Sequence, residues 1–161
     1  MDTSTIYLEI LENLFDGVYY VDSKRKITFW NAAAERITGF KKPEVLGKAC
    51  ADNILRHIDA AGYEMCIDGC PLHETLQDGK MREASLFLHH KLGHRVPVHI
   101  RIAPIKDEAG EVIGGVEVFS DNTKILEVLQ QLEEVKKKNF IDPLLKIGNR
   151  RYANMIFETR L

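Results

Sequence analysis

The sequence predicts an α+β fold, with five strands in one antiparallel sheet and short helices packed on one of its faces. Three observations carry this. Val96, Val98, Ile100 and Ile102 alternate with Pro97, His99, Arg101 and Ala103, the period-two signature of a strand with one buried face. Two strand-like runs precede a stretch without alternation, and three follow it. Leu92-Gly93 and Asp107-Glu108-Ala109-Gly110 read as turns that join the last three runs into hairpins.

The elements follow in order. Ile6, Ile10, Leu11 and Leu14 recur at helical spacing, opposite Glu9 and Glu12, so residues 1–14 hold an N-terminal amphipathic helix that Gly17 ends. A domain over 15–122 follows. Gly17-Val18-Tyr19-Tyr20-Val21-Asp22 and Ile27-Thr28-Phe29-Trp30 are rich in strand formers and flank the polar turn Ser23-Lys24-Arg25-Lys26. Asn31 suits a helix N-cap, Ala32-Ala33-Ala34-Glu35-Arg36 is strongly helical, and Gly39 closes that helix. Residues 41–80 read as several short helices, with turns at Pro43, Gly47, Gly62 and Gly69 and a last helix from Pro71 to about Gly79. Residues 82–90, the alternating run after Leu92-Gly93, and Val112 to Ser120 complete the sheet.

Residues 123–141 differ in kind. Ile125, Val128, Leu132 and Val135 form a heptad seam, and Glu133–Lys137 and Glu134–Lys138 are favourable i,i+4 pairs. The helix either packs on its own domain or pairs with a second copy as a two-stranded coiled coil. At Asp142-Pro143 it must stop or kink.

Composition narrows the functions. The chain has 161 residues and 45% hydrophobic side chains, enough for a core without a disulfide or metal. Its 22 Lys+Arg nearly cancel 24 Asp+Glu, which is not the footprint of a nucleic-acid binder. No apolar run is long enough to span a bilayer, and the first residues lack the basic region of a signal peptide, so a cytoplasmic location with no membrane or nucleic-acid partner is expected. Three cysteines are an odd number and do not suggest a disulfide framework.

Taken together, residues 10–123 resemble a PAS domain. The resemblance rests on Gly17 to Asp22, Ile27 to Glu35, Thr38-Gly39-Phe40, Glu44-Val45-Leu46-Gly47-Lys48, Ile102-Ala103-Pro104-Ile105, Asp107 to Gly110 and Asp121-Asn122-Thr123, in that order and spacing. Residues 142–161 resemble the opening of a GGDEF (diguanylate cyclase) domain, truncated here. Asp142, Leu144, Asn149, Arg150 and Arg151 match that opening, while Leu145 and Lys146 replace its usual Thr and Gly. Gly114-Gly115-Val116-Glu117-Val118-Phe119 is similar to the GGDEF signature only on the surface. That signature lies after the Asn-Arg-Arg motif, and the alternation of Val116 and Val118 with Glu117 fits a strand.

Several residues invite a chemical reading. Cys50, Cys66 and Cys70 fall in the region that, in PAS domains, borders the ligand cavity. The spacing in Cys66-Ile67-Asp68-Gly69-Cys70 suits a thiolate metal pair, and Cys70 sits just before a helix N-terminus, which lowers a thiol pKa. Cys50, with His57 or His73, would complete a Cys3His zinc or iron–sulfur site. Two of the thiols could instead form a redox-switched disulfide, or all three could simply pack. His57 and His73 are also the haem-ligand candidates. His89, His90 and His94 flank a hairpin tip and are expected in solvent, and His99 is expected to face out. Flavin is set aside, because Ala49-Cys50-Ala51-Asp52-Asn53-Ile54 departs from the reactive-cysteine motif of LOV domains. No nucleophile elbow, phosphate loop or zinc-protease motif occurs.

The resemblances imply a sensory module that detects a small ligand or a redox state. It would form a homodimer through the PAS domain and the helix over 123–139, and so control a diguanylate cyclase that makes cyclic di-GMP. A ligand-free dimerisation module and a cysteine-based metal or thiol sensor are the alternatives.

Overall fold

A computed structural model describes residues 2–50, 52 and 54–140, with Asn139 and Phe140 described by their backbone alone. The chain divides into two units, residues 1–122 and 123–161. In the first, α1 (Thr3–Glu12) precedes β1 (Gly17–Asp22), β2 (Ile27–Trp30), α2 (Ala32–Thr38), α3 (Lys42–Val45), α4 (Pro71–Asp78), β3 (Arg82–His89), β4 (Arg95–Lys106) and β5 (Val112–Asp121). The five strands form one sheet in the order β2-β1-β5-β4-β3, every neighbouring pair antiparallel. The five-stranded α+β fold read from the sequence is therefore observed.

Local chemistry accounts for the elements. Asn31 caps α2 by accepting from Ala34 N at 2.8 Å, and Gly39 ends the helix in the left-handed conformation with φ 78°. Pro71 opens α4 as its first residue. The inner face of the sheet buries Val96, Val98, Ile100 and Ile102 from β4 and Leu86 and Leu88 from β3, as period two requires. Tyr19, Trp30 and Phe119 pack as an aromatic cluster, with ring centroids 5.6–6.3 Å apart.

Between α3 and α4 the structure departs from the expected run of short helices. Among the described residues, 46–70 form turns and isolated bridges, not helices. Some of their backbone groups close local turns and others bond to the strands: Ile27 N donates to Lys48 O at 2.9 Å, and Ile58 and Phe87 exchange two bonds of 2.9 Å. Donors and acceptors used on the strands cannot build an i→i−4 ladder.

Gly17 faces Phe119 across the β1–β5 ladder, and a Cβ there would lie 2.2 Å from the ring. Phe119 is fully buried and packed against Tyr19 and Trp30. Gly17→Ala is expected to destabilise the domain by about 2 kcal/mol through overpacking, read as a lower denaturant midpoint at unchanged slope. An unchanged midpoint would show that the aromatic cluster can shift.

The second unit holds α5 (Thr123–Phe140). Ile125, Val128, Leu132 and Val135 are between 49% and 62% exposed along it. The opening-motif residues Asp142, Leu144, Asn149, Arg150 and Arg151 lie outside the described residues.

Candidate functional site

A buried acid marks the site. Glu117 on β5 is 1% exposed, and its strand partners and Phe119 on its own face belong to the hydrophobic core. Register explains its position. Gly115, Glu117 and Phe119 share one face of β5, and Phe119 belongs to the core. Glu117 pairs with Tyr19 on β1 and Ile102 on β4, both of which point inward.

Two polar groups meet it. Tyr19 Oη donates to Glu117 Oε2 at 3.0 Å, while Glu117 Oε1 lies 3.5 Å from His57 Nε2. Among the described residues neither Oε1 nor Nε2 has a hydrogen-bond partner of good geometry. His57 is held there by its backbone: His57 N donates to Cys66 Sγ at 3.3 Å, and His57 O accepts from Met65 N at 2.8 Å.

Burial sets the charge state. It pushes the Glu117 carboxyl up to about 8, against the opposing effect of the Tyr19 hydrogen bond. It pushes the His57 imidazole down to about 4, helped by the charge of Arg95. Tyr19 rises well above its usual range, through burial first and then the charge of Glu117. Near neutral pH the Glu117–His57 pair therefore holds one proton and no net charge, whichever atom carries it.

The cysteines lie in the same neighbourhood as thiols. Cys50 and Cys70 are buried, Cys66 is half-buried, and all three are free. Burial raises Cys50 far above the usual thiol range, and Glu117 adds to it. Burial also raises Cys66 to about 11, although the His57 N–H opposes the shift. Among the described residues no three His, Cys, Asp or Glu side chains gather in a metal-holding arrangement. The Cys50, Cys66, Cys70 and histidine set thus does not converge on a zinc or iron–sulfur geometry. Nor does haem ligation fit. His57 turns its Nε2 to Glu117, and His73 is exposed on α4, with its Nε2 3.1 Å from Gln77 Nε2.

The hairpin histidines also differ from expectation. His94 is exposed, but His89 and His90 are half-buried. His89 packs against Phe40 with centroids 6.2 Å apart, because its N–H is drawn 2.7 Å from Leu55 O. His90 stacks on His94 at 4.2 Å. His99 is half-buried, with its Nε2 3.6 Å from a Glu83 carboxylate oxygen.

A five-stranded antiparallel sheet in this order, with short helices packed against its core, is the fold of a PAS domain. The chain belongs to the PAS domain family, which residues 16–124 match. It is similar to the signal transduction histidine-protein kinase AtoS of Escherichia coli, with 26% identity over 84% of this chain and 21% of that protein. It is also similar to the probable diguanylate cyclase DgcE of the same organism, with 30% identity over 76% of this chain and 11% of that protein. The chain thus spans about a fifth or less of these relatives. The PAS domain of a Colwellia psychrerythraea protein shares the fold, with a TM-score of 0.64 and 20% identity over 76% of this chain and 99% of that one. Among the described residues no helix is long and apolar enough to cross a membrane.

Proposed function

We propose that this chain is the sensory part of a bacterial signalling protein. A signal received inside the sheet-and-helix core passes along β5 to α5, and from α5 to an output domain. The placement of Glu117 carries the reading. A buried acid with an unpartnered oxygen sits on β5, which ends at Asp121, and α5 starts at Thr123. Two unpartnered polar atoms in the core favour a receiving site over an inert dimerisation module. The raised Cys50 and Cys66 thiols give less support to a thiol switch, since the thiolate is the reactive form.

The exposed seam of α5 supports a dimer through Ile125, Val128, Leu132 and Val135. Val128→Asp is expected to convert a dimer to a monomer, because it places a carboxylate in the apolar seam. Sedimentation or light scattering reads the change, and an unaltered dimer mass would remove this seam as the interface.

The output we favour is a diguanylate cyclase, on the strength of Asp142, Leu144, Asn149, Arg150 and Arg151 and of the likeness to DgcE. Cyclic di-GMP synthesis joins two GTP molecules, so a dimeric helix that sets the spacing of two output domains suits it. The test is incubation of the full-length gene product with GTP. Cyclic di-GMP supports the reading, whereas autophosphorylation from ATP without it would favour a kinase output like that of AtoS.

A further inference from the structure

We infer that Tyr19, His57 and Glu117 form a proton switch. One proton is held in the core by the Glu117–His57 pair, and its release to alkaline solvent alters β5 and the start of α5. The proton site stands on the cluster itself, while its output through α5 rests on the relay proposed above.

The geometry supports the site in two ways. The cluster joins three separate parts of the chain: Tyr19 from β1, His57 from the turns before α4, and Glu117 from β5. β5 lies at the centre of the sheet, paired on both sides. Among the described residues the two atoms that face each other, Glu117 Oε1 and His57 Nε2, have no other partner, and one proton shared between them would satisfy both.

The surroundings fix the direction of the response. From β1, Tyr19 bonds the carboxyl. From the turns come His57 and the thiols of Cys50 and Cys66, with Cys70 at the start of α4. From β4, Arg95 acts on His57 and donates to the carbonyl of Arg56, and Arg25 in the β1–β2 turn acts on the two thiols. The groups that meet the carboxyl itself are a phenol and a neutral imidazole. Once the proton leaves, Glu117 is a buried carboxylate without a cation against it. Such a charge draws in water or moves toward it, and either change displaces the strand.

The test uses the whole chain, titrated from about pH 6 to about pH 9 around the raised carboxyl. Infrared difference spectra follow the carboxylic acid band, and amide hydrogen exchange follows β5 and the first turn of α5. The expected result is loss of a protonated-carboxyl band with a midpoint near pH 8, together with faster exchange in both segments. Glu117→Gln should abolish the band and flatten the exchange. Tyr19→Phe removes a donor that favours the carboxylate, and should move the midpoint to higher pH. The switch is overturned if no protonated-carboxyl band exists at neutral pH, if the band persists in Glu117→Gln, or if exchange is the same on both sides of the midpoint. Should Glu117→Gln not fold, an unmoved midpoint in Tyr19→Phe overturns the assignment. A chain that is monomeric at every pH removes the dimer reading, and the titration still decides the switch.

Discussion

Asn31→Ala is expected to lower the stability of the sensory domain by about 4 kcal/mol. Asn31 is fully buried, and its side chain makes four hydrogen bonds to backbone. Oδ1 accepts from Val18 N at 2.9 Å and from Ala34 N at 2.8 Å. Nδ2 donates to Leu11 O at 2.9 Å and to Asp16 O at 3.0 Å. One amide thus caps α2, holds the start of β1, and ties down the chain between α1 and β1. Removing it strands two donors and two acceptors, and the penalty for unmet buried groups exceeds that of an ordinary lost cap. Asn31→Asp separates the two halves of the effect. It keeps the acceptor but loses both donors and sets a carboxylate oxygen against two carbonyls, so it too is expected to destabilise. Denaturant unfolding measures both. A loss under about 1 kcal/mol for the alanine variant would mean that water replaces the amide.

The sequence made Asn31 legible as a cap, because an Asn before an alanine-rich run has a clear local role. Its bonds to Leu11 and Asp16 were not legible, since they depend on where the chain folds back. The same division runs through the fold. Alternation along β4 is a local property and showed the buried face of Val96 to Ile102. The described turns over 46–70 are fixed in part by bonds to distant strands, such as Ile58 with Phe87, and so read wrongly as helices. Glu117 shows where the site was hidden. Val116 and Val118 look like the residues to bury, yet Phe119 belongs to the core and its face carries Glu117. Giving Phe119 precedence over two valines would have exposed the site, for an aromatic ring buries more surface. The clustered cysteines drew attention for their spacing. Cys50 and Cys66 do lie near the buried acid, but their burial keeps those two protonated.

Stability should fall between about pH 6.5 and pH 8, on the order of 2 kcal/mol, and Glu117→Gln should abolish the fall. From pH 4.5 to 6.5, the ordinary values of Glu117 and His57, the unfolded chain carries one proton on His57. The folded chain also carries one, on the Glu117–His57 pair, so these groups leave stability flat. Above 6.5 the unfolded chain releases its proton, while the folded chain keeps the Glu117 proton until about 8. The folded state then binds more protons than the unfolded one, and stability falls as pH rises. Below 4.5 the unfolded chain takes a second proton, whereas the folded His57 resists until about 4, so stability falls again on the acid side. In Glu117→Gln only His57 remains of the pair: stability should rise from about pH 4 to 6.5 and stay level above. Unfolding free energies across this range check both curves, and a fall from pH 6.5 to 8 that survives in the variant would place the responsible proton elsewhere. An apolar residue at 117 would remove the alkaline loss altogether, and replacing buried charge by packed hydrocarbon is often stabilising. Glu117 therefore contributes a proton that can be gained or lost inside the core, not strength to the sheet that carries it.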